Sequence, residues 1–471
     1  MLFNSLTFLV FLAAVLALHR LPLAWRTKKL NLLLASYLFY AAWNPPFIVL
    51  LWISTVTDWL VGRRLAREAR PRRRRLLLLV SLGVNLGLLG YFKYAGFVLD
   101  NFVWLVNRLG VDYHPAAPDI ILPLGISFYT FQTLSYTISI YRGDLRPARH
   151  FLDFALFVTF FPQLVAGPIV RAGDFITQLA APKQADGRQL GWGMALLGLG
   201  LFEKVVLSDR LLAPIADRVF AMPALAGRID AWIGTLAFTG QIFFDFAGYS
   251  VCAIGVALCL GFELPWNFRC PYAARGFSDF WRRWHITLSS WLRDYLYISL
   301  GGNRRGSLRT YANLALTMLL GGLWHGASWN FVIWGGLHGV YLIAERLLRG
   351  LVGEARIFQG RGFVVAAGLL TFLVVSVTWV FFRAEDLAGA TALLGAMVGG
   401  GPGHRLHSDQ VWTVLSILGL TLVAQGALRD RDLEALFLGL PLWLRGPILA
   451  FPILCLIFVD GDDRAFIYFQ F

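Results

Sequence analysis

Between Phe244 and Glu345, polar and basic residues are set among segments apolar enough for lipid, and three of the eight histidines lie there, His285 and His325 among them in dense aromatic surroundings. A titratable group at membrane depth costs free energy, which makes it a functional candidate by default. His325 ends the apolar run Tyr311 to Trp324 and precedes Gly326, whose missing side chain leaves room for a substrate. Burial favours neutral imidazole, the form a general base needs. His285 lies in Phe277 to Tyr295, where Phe277, Trp281, Trp284, Leu288, Trp291 and Tyr295 recur at three- and four-residue spacing. That pattern predicts one amphipathic helix with Arg282, Arg283, Arg293 and Asp294 off its apolar stripe, capped by Ser278 and held at the interface or beside a polar cavity. His285 is then about 100° from Trp284, on the border of stripe and basic face. The plain alternatives are an interfacial, hydrogen-bonded histidine at 285 and a satisfied core histidine at 325. His338 is read as structural: along one unbroken helix, thirteen residues from His325 turn it about 220°, so the rings face apart.

The rest of the stretch offers less chemistry. Leu300 to Gly306 is a Gly-rich loop with Asn303, Arg304 and Arg305, able to pair with phosphates or to serve as a basic turn. It is not a phosphate-binding loop of the Walker type, since no Gly-Lys-Ser/Thr follows. No Gly-x-Ser-x-Gly elbow supports a serine hydrolase. Neither histidine has a carboxylate or third histidine at metal-ligand spacing, so no metal is expected. Asp245 sits inside an apolar segment.

These residues need a lipid-embedded frame, and the composition supplies one. The chain has 471 residues, 57% hydrophobic and 15% charged, with mean hydropathy +0.62. Soluble domains carry about 25% charged residues, so a polytopic, all-α membrane protein is expected. An excess of 42 Lys+Arg over 28 Asp+Glu fits cytoplasmic loops under the positive-inside rule better than nucleic-acid binding, because the basic residues are scattered between apolar segments. Four cysteines without a CxxC argue against a disulfide framework.

Leu2 to Leu18 reads as a first, uncleaved span, and Asn44-Pro45-Pro46 as a helix-breaking turn. The run Arg63 to Arg75 reads as a cytoplasmic loop, as do Arg20 to Lys29 and Arg142 to Arg149, while Gly110 to Asp119 faces outside. Leu122 to Phe128, with its Pro, Gly and Ser, starts a span that must be buried in protein or line a cavity. Trp232 to Leu264 has length for two spans hinged near Gly248, and Glu203 and Lys204 are expected to neutralise each other. The last apolar segment runs from Leu442 to Val459. At about 20 residues per crossing, eleven or twelve transmembrane helices plus re-entrant or interfacial ones enclose a central tunnel, in a single domain over residues 1–471 with its core motifs at about 122–345.

The segments Gln241 to Ser250, Phe280 to Ser289, Trp291 to Tyr297, Leu300 to Gly306, Gly321 to Asn330 and Phe161 to Ile169 together resemble the membrane-bound O-acyltransferase family, in particular its bacterial polysaccharide acetylators of the alginate type. The resemblance implies that His325 is the essential histidine and His285 the second active-site position. It implies donor- or substrate-binding places for Arg304, Arg305, Asn303, Trp281, Trp324, Asn330 and Asp245. It also implies an acetyl-CoA or acyl-carrier thioester as donor substrate, with no bound cofactor. The bacterial inner membrane is the expected location. The acceptor is either a periplasmic SGNH-type acetyltransferase or the polymer itself: alginate, peptidoglycan or another exopolysaccharide. D-alanyl transfer to teichoic acid, a transporter of polysaccharide or lipid-linked precursors, and a structural subunit recruiting soluble acetyltransferases are the competing functions.

Overall fold

Where the chain is apolar over membrane length it folds as helix, which satisfies its own backbone groups without water. The computed structural model describes residues 1–471 other than 2, 117, 353–359, 404–405, 459–463, 465 and 468–471. Among the described residues every regular element is helical. Among these residues seven helices are long and apolar enough to cross a bilayer, and three more, Leu6–Arg20, Leu387–Gly399 and Trp443–Phe458, are apolar but shorter. The protein is therefore an all-α polytopic membrane protein. The helices Ile126–Arg142 and Gly306–His325 stand outside the seven, the first being 17 residues long and the second interrupted by polar side chains. The expected last span reaches Val459, which lies outside the described residues. The chain divides into two compact units, Met1–Gly193 with Ala253–Pro265, and Met194–Cys252 with Trp266–Phe471.

In the first unit the arginine run is not one loop. Arg63 and Arg64 end the helix Ile48–Leu65, and Pro71 opens Pro71–Leu89, so Arg72 to Arg75 form its first turn. Arg74 reaches carbonyls at the ends of two other helices, donating from Nη1 to Leu65 O at 2.6 Å and from Nη2 to Tyr141 O at 2.8 Å. A cation suits the carbonyl end of a helix. The contact puts the C-terminal ends of Ile48–Leu65 and Ile126–Arg142 at one face with the start of Pro71–Leu89. Deeper in, Asp58 accepts from Ser81 Oγ, from Thr137 Oγ1 at 2.9 Å and from Asn85 Nδ2 at 2.7 Å. Such interhelical hydrogen bonds hold helices together where apolar burial gives no driving force.

In the second unit two expectations are corrected. The helix Arg228–Cys259 runs unbroken for 32 residues, so Gly248 is not a hinge. A side chain there would press on Gly200 O, 2.6 Å from the position of its Cβ. The glycine serves a close helix crossing. Lys204 does not pair with Glu203. It bonds Asp209 at 2.9 Å and Asp245, both carboxylates being buried with it, because the π-helical turn Phe202–Leu212 brings Asp209 round to it.

Candidate active site

The predicted single helix over Phe277 to Tyr295 is broken at the histidine. Phe277–Arg283 and Ile286–Trp291 are separate helices, followed by a π-helical turn Leu292–Tyr297. Between the first two, Trp284 is extended and His285 is left-handed, at φ 43° and ψ 53°. That conformation costs a residue with a Cβ on the order of 1–2 kcal/mol, so its surroundings must enforce it. They do so from the segment 267–269. Ile286 N donates to Asn267 O at 2.9 Å, and Arg269 N donates to Arg283 O at 3.0 Å, clamping the chain on both sides of His285. Thr287 Oγ1 donates to Asn267 Oδ1 at 2.6 Å. Ser278 does not cap: Gly276, at φ 140°, is the N-cap, and Ser278 N donates to Glu345 Oε2 at 2.8 Å.

The break turns His285 inward. Its ring is fully buried instead of lying on the border expected from helical periodicity. Phe246 meets it edge-on at 4.6 Å between ring centroids. Its Nδ1 stands 3.4 Å from Asn267 Oδ1. An acceptor on that side favours the tautomer with its proton on Nδ1. Burial pushes the His285 pKa well below the usual imidazole value.

His325 is the last residue of Gly306–His325 and is 3% exposed. Trp324, Trp334 and Phe382 surround its ring edge-on at 5.1, 5.1 and 5.3 Å. The helix ends there because Gly326 is extended. The space beside Gly326 is not left for a substrate: a Cβ there would enter the ring of Phe331. The ring centroids of His325 and His285 are 6.3 Å apart, with Trp324 5.9 Å from His285. An imidazolium formed at 325 would face the carbonyl end of a 20-residue helix, which stabilises positive charge.

The remaining expected residues scatter. Trp281 packs on Trp334 at 5.7 Å, in the aromatic wall beside His325. Asn330 ties its helix to the next, donating from Nδ2 to Ala384 O at 2.8 Å. Asp245 is buried in its pair with Lys204 and accepts from Ile467 N at 3.0 Å. It touches the site through its neighbour Phe246. Asn303, Arg304 and Arg305 are exposed at the start of the 20-residue helix that ends in His325, about 30 Å along its axis. Sequence reasoning missed Asn267, Phe246 and Phe382, which have no spacing that marks them. The premise of one unbroken helix from His325 to His338 does not hold. The chain turns back after Gly326, so Gly306–His325 and Trp329–Val352 are separate helices. Trp334 then contacts both imidazoles, at 5.1 Å for His325 and 4.8 Å for His338.

Residues 145–368 match the model of MBOAT, the membrane-bound O-acyltransferase family. The chain is 44% identical to a probable alginate O-acetylase of Pseudomonas putida over 84% of this chain and 80% of that protein. It is 45% identical to a probable alginate O-acetylase of Azotobacter vinelandii over 84% and 78%. To a peptidoglycan O-acetyltransferase of Helicobacter pylori it is 40% identical over 79% and 74%.

Proposed function

The chain belongs to the membrane-bound O-acyltransferase family and is an O-acyltransferase; on that footing we propose that it moves an acetyl group from a cytoplasmic thioester, acetyl-CoA or an acyl-carrier protein, across the bacterial inner membrane toward an extracytoplasmic polysaccharide. The observation that carries the reading is the pair of buried imidazoles with centroids 6.3 Å apart at the end of one helix. An acceptor hydroxyl placed there attacks the thioester carbonyl carbon. His325 takes the hydroxyl proton as general base, the carbon–sulfur bond breaks, and the same proton passes to the leaving thiolate. His285, buried with its ring 6.3 Å from that of His325, orients the reacting groups. Catalysis is then mostly positioning in a dry enclosure plus base assistance. Arg304 and Arg305, far from His325 along the helix, suit the phosphates of the donor and not its thioester end. The acceptor is an alginate-type polysaccharide or peptidoglycan, reached directly or through a periplasmic SGNH-type acetyltransferase, in keeping with the names of the relatives.

The test uses the full chain in liposomes with radiolabelled acetyl-CoA and a soluble acceptor. His325→Ala, checked for the wild-type thermal transition, is expected to lose at least about 100-fold in acetyl transfer, the lower end of what a general base contributes. A folded His325→Ala protein working at the wild-type rate overturns the assignment. Counterflow of intact polysaccharide precursor without thiol release would make the protein a transporter instead.

A further inference from the structure

His338 is a buried imidazole that the proposed acyl transfer does not use. It is fully buried, and neither of its ring nitrogens has a hydrogen-bond partner. The indole Nε1 atoms of Trp281 and Trp334, both in ring contact with it at 5.1 and 4.8 Å, are likewise buried without a partner. Buried polar groups are normally satisfied, and a local concentration that is not points to an absent molecule. Four such atoms on three adjoining side chains therefore define a polar station inside an aromatic wall.

Its position says what passes there. The helices Gly306–His325 and Trp329–Val352 run antiparallel, since Gly322 abuts Phe331, Gly335 abuts Met318, and Gly339 abuts Ala315. The His338 backbone is thus level with residues near 315, on the Arg304 and Arg305 side of His325, and because helical side chains lean toward their own N-terminus the two rings lean toward each other. The helix Phe277–Arg283 runs alongside, with Phe277 stacked on Tyr341 at 4.7 Å, then Trp281 on His338, before the chain reaches His285. Through Trp334, the two imidazoles have centroids no more than about 10 Å apart, because each lies within 5.1 Å of that indole.

We propose that His338, Trp281 and Trp334 bind the amide groups of the pantetheine arm that carries the acetyl thioester to His325. Three N–H donors and one acceptor nitrogen in an otherwise apolar wall suit amide groups, whose carbonyls accept and whose N–H donates. The two indole N–H groups donate to amide oxygens, and one nitrogen of neutral His338 accepts from an amide N–H. The cysteamine unit between thioester sulfur and its amide spans about one residue of backbone, about 4 Å. A thioester carbonyl at His325 then leaves its first amide within reach of Trp334 and His338. The inference rests on the thioester-donor reading above.

The experiment compares two donors, S-acetylpantetheine and S-(2-hydroxyethyl) thioacetate, which has the same reacting group and no amide. Thiol release is followed with wild type, His338→Phe and Trp281→Phe. The quantity read is the ratio of kcat/KM for the two donors, which does not depend on the fraction of protein that is active. The wild type is expected to prefer the amide donor. Each variant lowers that ratio about tenfold, the value of one lost hydrogen bond. Equal loss on both donors, leaving the ratio unchanged in both variants, overturns the inference while sparing the thioester reading. A wild type inert toward both thioesters overturns the donor reading and this inference with it. Trp281→Phe keeps an aromatic side chain and removes the N–H, and the donor ratio cancels any general loss from the smaller ring, so it decides the matter if His338→Phe fails to fold.

Discussion

The two histidines are legible in the sequence because a titratable residue among tryptophans in a lipid-length segment is costly and needs a reason to be there. Their burial is not legible in the same way. Periodicity places His285 on a half-polar border, and the structure buries it completely, because Asn267 holds the chain in a left-handed kink that no local pattern in Phe277 to Tyr295 encodes. A neutral, buried histidine has a consequence for stability. The folded-state pKa of His285 is depressed, whereas the unfolded chain titrates near the ordinary value of about 6.5. Below about pH 6.5 the unfolded state takes up a proton that the folded state refuses, so stability falls as pH falls, by up to about 1.4 kcal/mol per pH unit. Above about pH 7 both states are neutral and the contribution is flat. The Tm of the detergent-solubilised protein is expected to drop between pH 7.5 and 5.5 more steeply in the wild type than in His285→Asn. Parallel slopes for the two proteins would mean that His285 takes up its proton in the folded state.

At the scale of elements, the apolar segments announce most of the helices, and their polar punctuation announces most of the ends. Pro45, Pro71 and Gly125 all stand at helix starts. Glycine function is less readable. Gly248 looks like a hinge and Gly326 like room for substrate, yet each is small because a carbonyl or a ring of another segment occupies the space. The hairpin that carries His325 and His338 depends on the same device. A Cβ on Gly335 would collide with Met318 O and come within 3.1 Å of Gly322 Cα, both backbone atoms that cannot step aside. At Gly336, one residue on, the first atom met is the flexible Leu319 Cδ2 at 3.4 Å. Gly335→Val is expected to cost 3 kcal/mol or more, at or above the upper end of about 1–3 kcal/mol for overpacking, and to abolish acetyl transfer by parting the two helices. Gly336→Ala is expected to shift stability by no more than about 0.5 kcal/mol. Thermal unfolding in detergent, read with the transfer assay, compares them, and equal effects would remove the close crossing as the basis of the hairpin.

For the whole molecule, orientation decides which substrate meets which end of the site. Residues Pro71–Arg108 form one helical run of 38 residues, interrupted only by a π-helical turn at Gly90–Tyr94. At 1.5 Å per residue it extends about 57 Å, well beyond the roughly 30 Å hydrocarbon core, so Arg72 and Asp112 lie on opposite sides of the membrane. Arg74 fixes the arginine side further, since it binds Tyr141 O beside the basic loop after Arg142. Two arginine-rich connections on one side predict that side to be cytoplasmic by the positive-inside rule. The proposed donor comes from the same side, and its phosphates are assigned to Arg304 and Arg305, which must then be cytoplasmic too. In a background with the four native cysteines replaced, Asp112→Cys should react with a membrane-impermeant maleimide on intact spheroplasts. Arg72→Cys and Arg304→Cys should react only after permeabilisation. Labelling of Arg72→Cys from outside would invert the whole topology. Labelling of Arg304→Cys alone would leave the topology standing and put the basic loop on the acceptor side, where a cytoplasmic thioester never meets it; the arginines would then face the polysaccharide, and the donor would have to approach the histidines from elsewhere.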